Sequence, residues 1–296
     1  MTFDPVDPPL SDSPAPAQPA FSAPESAELQ PPDPYAARLS SALPEDIRVP
    51  WGWLDIFLLA VLAIGSTFLF GLLVVLVMAA FGVSPAHIQQ NASSFGLVAV
   101  VAQILADLAI VGYLALQMRH RFDRPFWKAV GWRKLDTGAY SRALFVSTLI
   151  FGGFFLAVGV ALLDSLFPTK QTLPIEQILQ DHRTAALFML TAVFLAPVIE
   201  ETIFRGYIYP VAARSWGALT GIVFTGTIFG LLHSIQLWGG WWQISFLVLV
   251  GIVLTAVRAR TGTVVASYIV HASYNALPVL AYLFAALRLH HFPAPQ

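Results

Sequence analysis

The stretch AALFMLTAVFLAPVIEETIFRGYIY, residues 185–209, decides how this chain folds. Its first fifteen residues carry no charge. As a helix, the stretch is long enough to cross a hydrocarbon layer about 30 Å thick. Yet Glu200, Glu201 and Arg205 fall within six positions of one another. Each ionisable group at the centre of a span costs roughly 3 kcal/mol. Partners inside a bundle must offset that cost, so the stretch predicts one helix of a polytopic assembly.

The composition agrees. Of 296 residues, 57% are hydrophobic and only 11% charged, whereas a soluble domain carries about a quarter charged residues. The formal net charge of −1 supplies no basic patch for nucleic acid, so no nucleic-acid partner is expected. The absence of cysteine excludes disulfides, thiolate metal ligands and a cysteine nucleophile. The N-terminus lacks the basic and apolar regions of a secretory signal, so no cleavage is expected there.

Residues 1–50 differ from the rest. They hold 12 of the 21 prolines, eight acidic residues, and only Arg38 and Arg48 as basic ones. Such a segment buries too little apolar surface to offset its ordering entropy, and reads as a disordered acidic tail. From Trp53 onward, apolar runs alternate with short polar connections. They predict spans near 53–81, 94–118, 143–165, 185–209, 217–234, 241–258 and 263–287, the fifth and sixth short. Pro278 leaves two readings of the last, one unbroken span or a span followed by a short extra helix. The expected fold is all-α, a polytopic membrane bundle of seven to eight helices. Its parts are the tail (1–50), the first helices and a basic connection (51–139), and a core (140–288).

Arg119, Arg121, Arg124, Lys128, Arg133, Lys134 and Arg142 crowd one connection. Placing it in the cytoplasm puts the tail and the 210–216 and 259–262 turns on the same side. That side then holds twelve basic residues against three, and the N-terminus lies inside. The C-terminus lies outside for seven spans and inside for eight. All eight tryptophans fall near span ends, as expected of rings that favour the headgroup boundary, and none is assigned chemistry.

Three predicted helices carry polar groups ill-suited to hydrocarbon: Glu200, Glu201 and Arg205; His233 in FGLLHS; and His271 with Asn275 in VHASYN. Glu201 and Arg205, four apart, share a helix face and can pair, while Glu200 is turned about 100° away. One carboxylate can then neutralise the arginine and leave the other for chemistry, although both can still reach one cavity. A purely structural charge triplet that pins helix packing is the competing reading. His271 and Asn275 repeat the four-residue spacing. A carboxylate with a histidine can activate water, and a second histidine with an amide can hold an oxyanion. Together these groups make a complete set for hydrolysis.

The ordered trio Glu200-Glu201-x-x-x-Arg205, Phe229-x-x-x-His233 and His271-x-x-x-Asn275 resembles the CPBP family of CAAX proteases and bacteriocin-processing membrane proteins. The family includes the type II prenyl-protein endopeptidases, and the resemblance covers roughly residues 140–285. It implies an intramembrane glutamic endopeptidase without metal or cofactor, in a bacterial plasma membrane. Its substrate would be a membrane-anchored or lipidated peptide or protein. Glu200 would be the general base and His233 would orient the water. His271 and Asn275 would stabilise the oxyanion. Glu201 and Arg205 would support the site, and Phe229 would pack the helix presenting His233.

Other classes compete. Two histidines and a carboxylate can hold zinc, although the HExxH signature is absent. Asp107, in the second span, has no evident second aspartate with which to form an acid dyad. A proton-coupled carrier would use Asp107, both glutamates and both histidines as a relay, but no inverted repeat of broken helices is visible. A non-catalytic scaffold would use the same cluster only for packing.

Overall fold

The computed structural model describes residues 44–84, 92–167 and 182–289. No strand occurs among them. Seven helices carry the fold: α1 (Trp53–Ala80), α2 (Ala92–His120), α3 (Arg142–Leu166), α4 (Thr184–Trp216), α5 (Ala218–Leu232), α6 (Trp241–Thr261) and α7 (Val264–Leu289). Six are long and apolar enough to cross a membrane, and α5 is a shorter apolar helix. The outer faces of α1 and α3 expose Phe68, Leu69, Phe151 and Phe155. A contiguous surface of this kind suits lipid and would be a liability in water. The protein is therefore an integral, multi-pass helical bundle.

Helix α4 departs from simple α geometry twice. Thr191–Leu195 and Glu201–Ile208 are π-helical, with Ala196 N–H bonded to Thr191 O and Tyr209 N–H to Phe204 O. Each π stretch is followed by a proline, Pro197 or Pro210. A proline ring crowds the carbonyl four residues back and offers no N–H, and a widened turn relieves that conflict. At 33 residues α4 is about 50 Å long, so it runs well past the hydrocarbon layer. The segment 210–216, expected as a turn, is instead the last part of this helix. The π geometry carries the chain past Pro210 without a break.

The last helix also continues, which favours the unbroken of its two readings. Pro278 lies inside α7, which extends from Val264 to Leu289. One absent N–H leaves one carbonyl unpaired without ending a helix whose other bonds persist.

Helices α5 and α6 approach more closely than side chains normally allow. A Cβ on Gly226 would strike the backbone of Ile252, one on Gly230 would come 2.5 Å from Val248 N, and one on Gly251 would come 2.6 Å from Gly226 O. The spacing Gly226-x-x-x-Gly230 is the small-residue pattern that lets membrane helices touch backbone to backbone. Gly226→Leu is expected to lose at least about 3 kcal/mol, because here the overpacking meets backbone rather than a mobile side chain. A thermal melt in detergent reads the loss, and an unchanged midpoint would mean that the contact is dispensable.

Residues 44–50 differ from the solvated tail expected of them; positions 1–43 lie outside the described residues. Glu45–Ile47 forms one 3₁₀ turn, and Ile47 packs with Tyr209 and Ala213. Asp46 Oδ2 accepts from Arg258 Nη1 at 2.9 Å. Arg214 donates to the carbonyls of Val49 and Trp51. Trp51 is fully buried rather than at a lipid boundary. It stacks on Tyr207 with ring centroids 4.9 Å apart, and its Nε1 donates to Tyr207 O at 2.9 Å. This strap ties α4 to the end of α6. Val264 N–H donates to Gly131 O at 2.9 Å, which anchors the start of α7 to the basic connection. The tail end, that connection, the end of α4 and the α6–α7 turn thus share one end of the bundle.

Candidate active site

The polar residues singled out in the sequence converge. Arg205 is fully buried, and three neighbours take up its fork of donors. Nη1 donates to Glu201 Oε1 at 2.9 Å, Nη2 to Gly251 O at 3.0 Å, and Nε to Thr255 Oγ1 at 3.2 Å. The guanidinium also lies 4.5 Å from the centroid of the Phe229 ring, a cation–π contact strengthened by the dry surroundings. Arg205 thus pins α4 to both α5 and α6.

Glu201, also fully buried, serves two partners. Its Oε1 accepts from Arg205 and faces His271 Nδ1 at 2.9 Å. A carboxylate that accepts from Nδ1–H fixes the tautomer and orientation of the ring. The other nitrogen, Nε2, therefore points away from Glu201, and it lies 3.6 Å from Glu200 Oε2.

His233 is held by a parallel device. It occupies the C-cap of α5 rather than the helix interior, and its Nδ1 lies 2.8 Å from Phe229 O. A carbonyl only accepts, so Nδ1 carries the hydrogen and a neutral ring offers Nε2 as an acceptor. That Nε2 is 3.9 Å from Glu200 Oε1. Glu200 therefore sits between the Nε2 atoms of two histidines on different helices. Its side chain is 25% exposed and that of His233 is 23%, whereas Glu201 and Arg205 are at 0%. Of the two adjacent carboxylates, Glu200 is the accessible one.

Phe229 packs the centre of this cluster. Its ring meets Phe204, His233 and His271 at centroid distances of 5.2, 4.8 and 5.7 Å. Asn275 stands one turn beyond His271 on α7, and its Nδ2 donates to Ala192 O at 2.8 Å. That acceptor exists because of the first π stretch. In π register the carbonyl of Ala192 would seek the N–H of residue 197, which is a proline and has none.

Several contributors carried no chemical signature in the sequence. Thr255 and the Gly251 carbonyl hold Arg205, and Trp132 Nε1 donates to Thr202 Oγ1 at 2.9 Å, next to Glu201. Asp107, which the sequence did mark as an acid within a span, is buried, accepts from Gln103 Nε2 at 2.8 Å, and lies within electrostatic range of Glu200. A signal for the α5–α6 contact was visible in the paired glycines four apart. Among the described residues, no group of three or more His, Asp or Glu side chains is arranged to hold a metal ion.

Residues 182–277 match the family described as type II CAAX prenyl endopeptidase Rce1-like. The match encloses Glu200, Glu201, Arg205, Phe229, His233, His271 and Asn275, and ends two residues past the last of them. The matched family is the one that the three motifs resemble. No curated protein and no solved structure matches the chain.

Proposed function

We propose that this Rce1-like chain is an intramembrane endopeptidase in which Glu200 activates a water molecule. The family supports the coarse statement, a CAAX-type intramembrane protease. One observation supports the finer one: Glu200 is partly exposed between two imidazoles, while Glu201 is fully buried with its Oε1 held by Arg205 and His271. Glu200 accepts a proton from water as the oxygen adds to the scissile carbonyl. His233 Nε2, an acceptor, orients that water. The carbonyl oxygen gains negative charge, which His271 Nε2 and Asn275 stabilise. His271 does so as a donor, and Glu201 stabilises the charge on its ring. Asn275 spends one N–H on Ala192 O, which sets the amide and leaves its second N–H for the oxyanion. Glu200 then returns the proton to the leaving nitrogen as the C–N bond breaks.

The substrate class follows from the family name: a membrane-associated, prenylated peptide or protein. The distribution of Lys and Arg supports a cytoplasmic N-terminus, and we assign the chain to a bacterial plasma membrane on the family resemblance alone.

A single-turnover cleavage in ¹⁸O-water, with a metal chelator present throughout, tests the mechanism. A general base places the label in the new carboxyl terminus of the product and none in Glu200. Label in Glu200 would indicate a covalent acyl intermediate, and loss of turnover restored by zinc would indicate a metalloprotease. Either result overturns the proposal.

A further inference from the structure

The seven basic residues of the 119–142 connection have different fates in the structure. Arg121 pairs with the buried Asp55. Arg133 and Lys134 instead border a cavity of about 560 Å³, walled by Trp127, Trp132 and Tyr268 and floored by valines of α4 and α7. Its walls are apolar and aromatic, and its rim is cationic. Arg133 is only partly neutralised. The carboxylate of Glu45, itself largely in solvent, lies 3.4 Å from Arg133 Nη1. Arg133 Nε is buried with no acceptor. Lys134 is exposed at the rim. Asp136, further along, is exposed and accepts from Gly138 N–H.

We propose that this cavity binds the headgroup of an anionic phospholipid, with the phosphate on Arg133 and Lys134. The glycerol and first methylenes would lie against Trp127, Trp132 and Tyr268. The charge of the rim selects an anion, and basic pockets between membrane helices are suited to such headgroups. The aromatic walls then select an anion that carries apolar matter, because indole rings favour the boundary between headgroup and chain. A free phosphate uses the rim alone; a phospholipid uses both features. The position gives the lipid leverage. Val198, in the floor, precedes Glu200 by two residues, and Trp132 bonds to Thr202 of the same helix. Thr263 Oγ1, just before α7, donates to Arg133 O at 2.7 Å, so the cavity touches both helices that carry the glutamates and His271.

The inference concerns binding and stands apart from the peptidase reading, so its test uses no cleavage assay. The full chain is placed in phosphatidylcholine nanodiscs containing spin-labelled phosphatidylglycerol, and the immobilised fraction of the label is measured. The parent is expected to hold phosphatidylglycerol over phosphatidylcholine, and the R133A/K134A double variant to hold it about tenfold less tightly. Lys134→Ala alone, a change at an exposed side chain, is expected to give a smaller loss in the same direction. The R119A/R124A variant removes the same charge outside the cavity and should retain the preference. Equal loss in R119A/R124A would reveal a diffuse surface charge, and an unchanged preference in R133A/K134A would remove the site. Inorganic phosphate competing as well as the lipid would show that the walls are irrelevant. Displacement by a peptide with a free C-terminal carboxylate, but not by its amide, would make the cavity a peptide subsite. Each of these four results overturns the proposal.

Discussion

Glu200→Gln is expected to abolish cleavage while leaving the protein folded. The substitution keeps the shape of the side chain and removes only its capacity to take a proton. General acid–base catalysis supplies about 10²–10⁴ in rate, and the loss in kcat should reach at least that range. Stability should change little, because Glu200 is partly exposed and its histidine neighbours stand 3.6 and 3.9 Å away, beyond hydrogen-bond distance. The informative comparison is with Glu201→Gln, made one residue away with the same atoms. That variant should lose both activity and stability, since it removes the charge facing Arg205 and His271. Parallel cleavage assays and melts of the two proteins separate the roles. Cleavage by Glu200→Gln at the parental rate would end the glutamate mechanism.

Arg205→Ala is expected to give the largest loss of stability. It would leave Glu201 as a buried carboxylate without its counter-charge and would strand the Gly251 carbonyl and Thr255. Breaking a buried pair by removing one partner costs about 3–5 kcal/mol, which should lower the melting midpoint by roughly 6–20 °C. Arg205→Lys should recover little of this, because one ammonium cannot reproduce a planar fork that reaches Glu201, Gly251 and Thr255 together. Tryptophan fluorescence during heating in detergent gives the midpoints. A shift of only a few degrees in the alanine variant would mean that the charged cluster does not hold the helices.

Hydropathy located the membrane helices closely: the third was expected at 143–165 and spans Arg142–Leu166. It served so well because a lipid-facing surface leaves a long, uninterrupted signature. The pairing of Glu201 with Arg205 was legible for a similar reason, since four-residue spacing fixes a shared face on any helix. The widened turns of α4 were not. Period-based reading does not separate a bond to the fourth residue from one to the fifth, although Pro197 and Pro210 marked both places. The immediate partner of Asn275 was hidden more deeply, because a backbone carbonyl has no letter in the sequence. The strap was lost by averaging: among twelve prolines and eight acids, Asp46 and Ile47 do not stand out, and their partners lie far along the chain.

That distance has a consequence in time. Asp46 and Trp51 leave the ribosome well before their partners, since Arg258 follows Asp46 by 212 positions and Tyr207 follows Trp51 by 156. At about 5–20 residues per second, the wait for Arg258 is on the order of ten to forty seconds. Until then the strap can close only on α4, through Tyr207, Tyr209 and Arg214. Its contact with the sixth helix forms only after that helix is in place, so the completed strap marks the moment at which synthesis of the bundle is nearly finished.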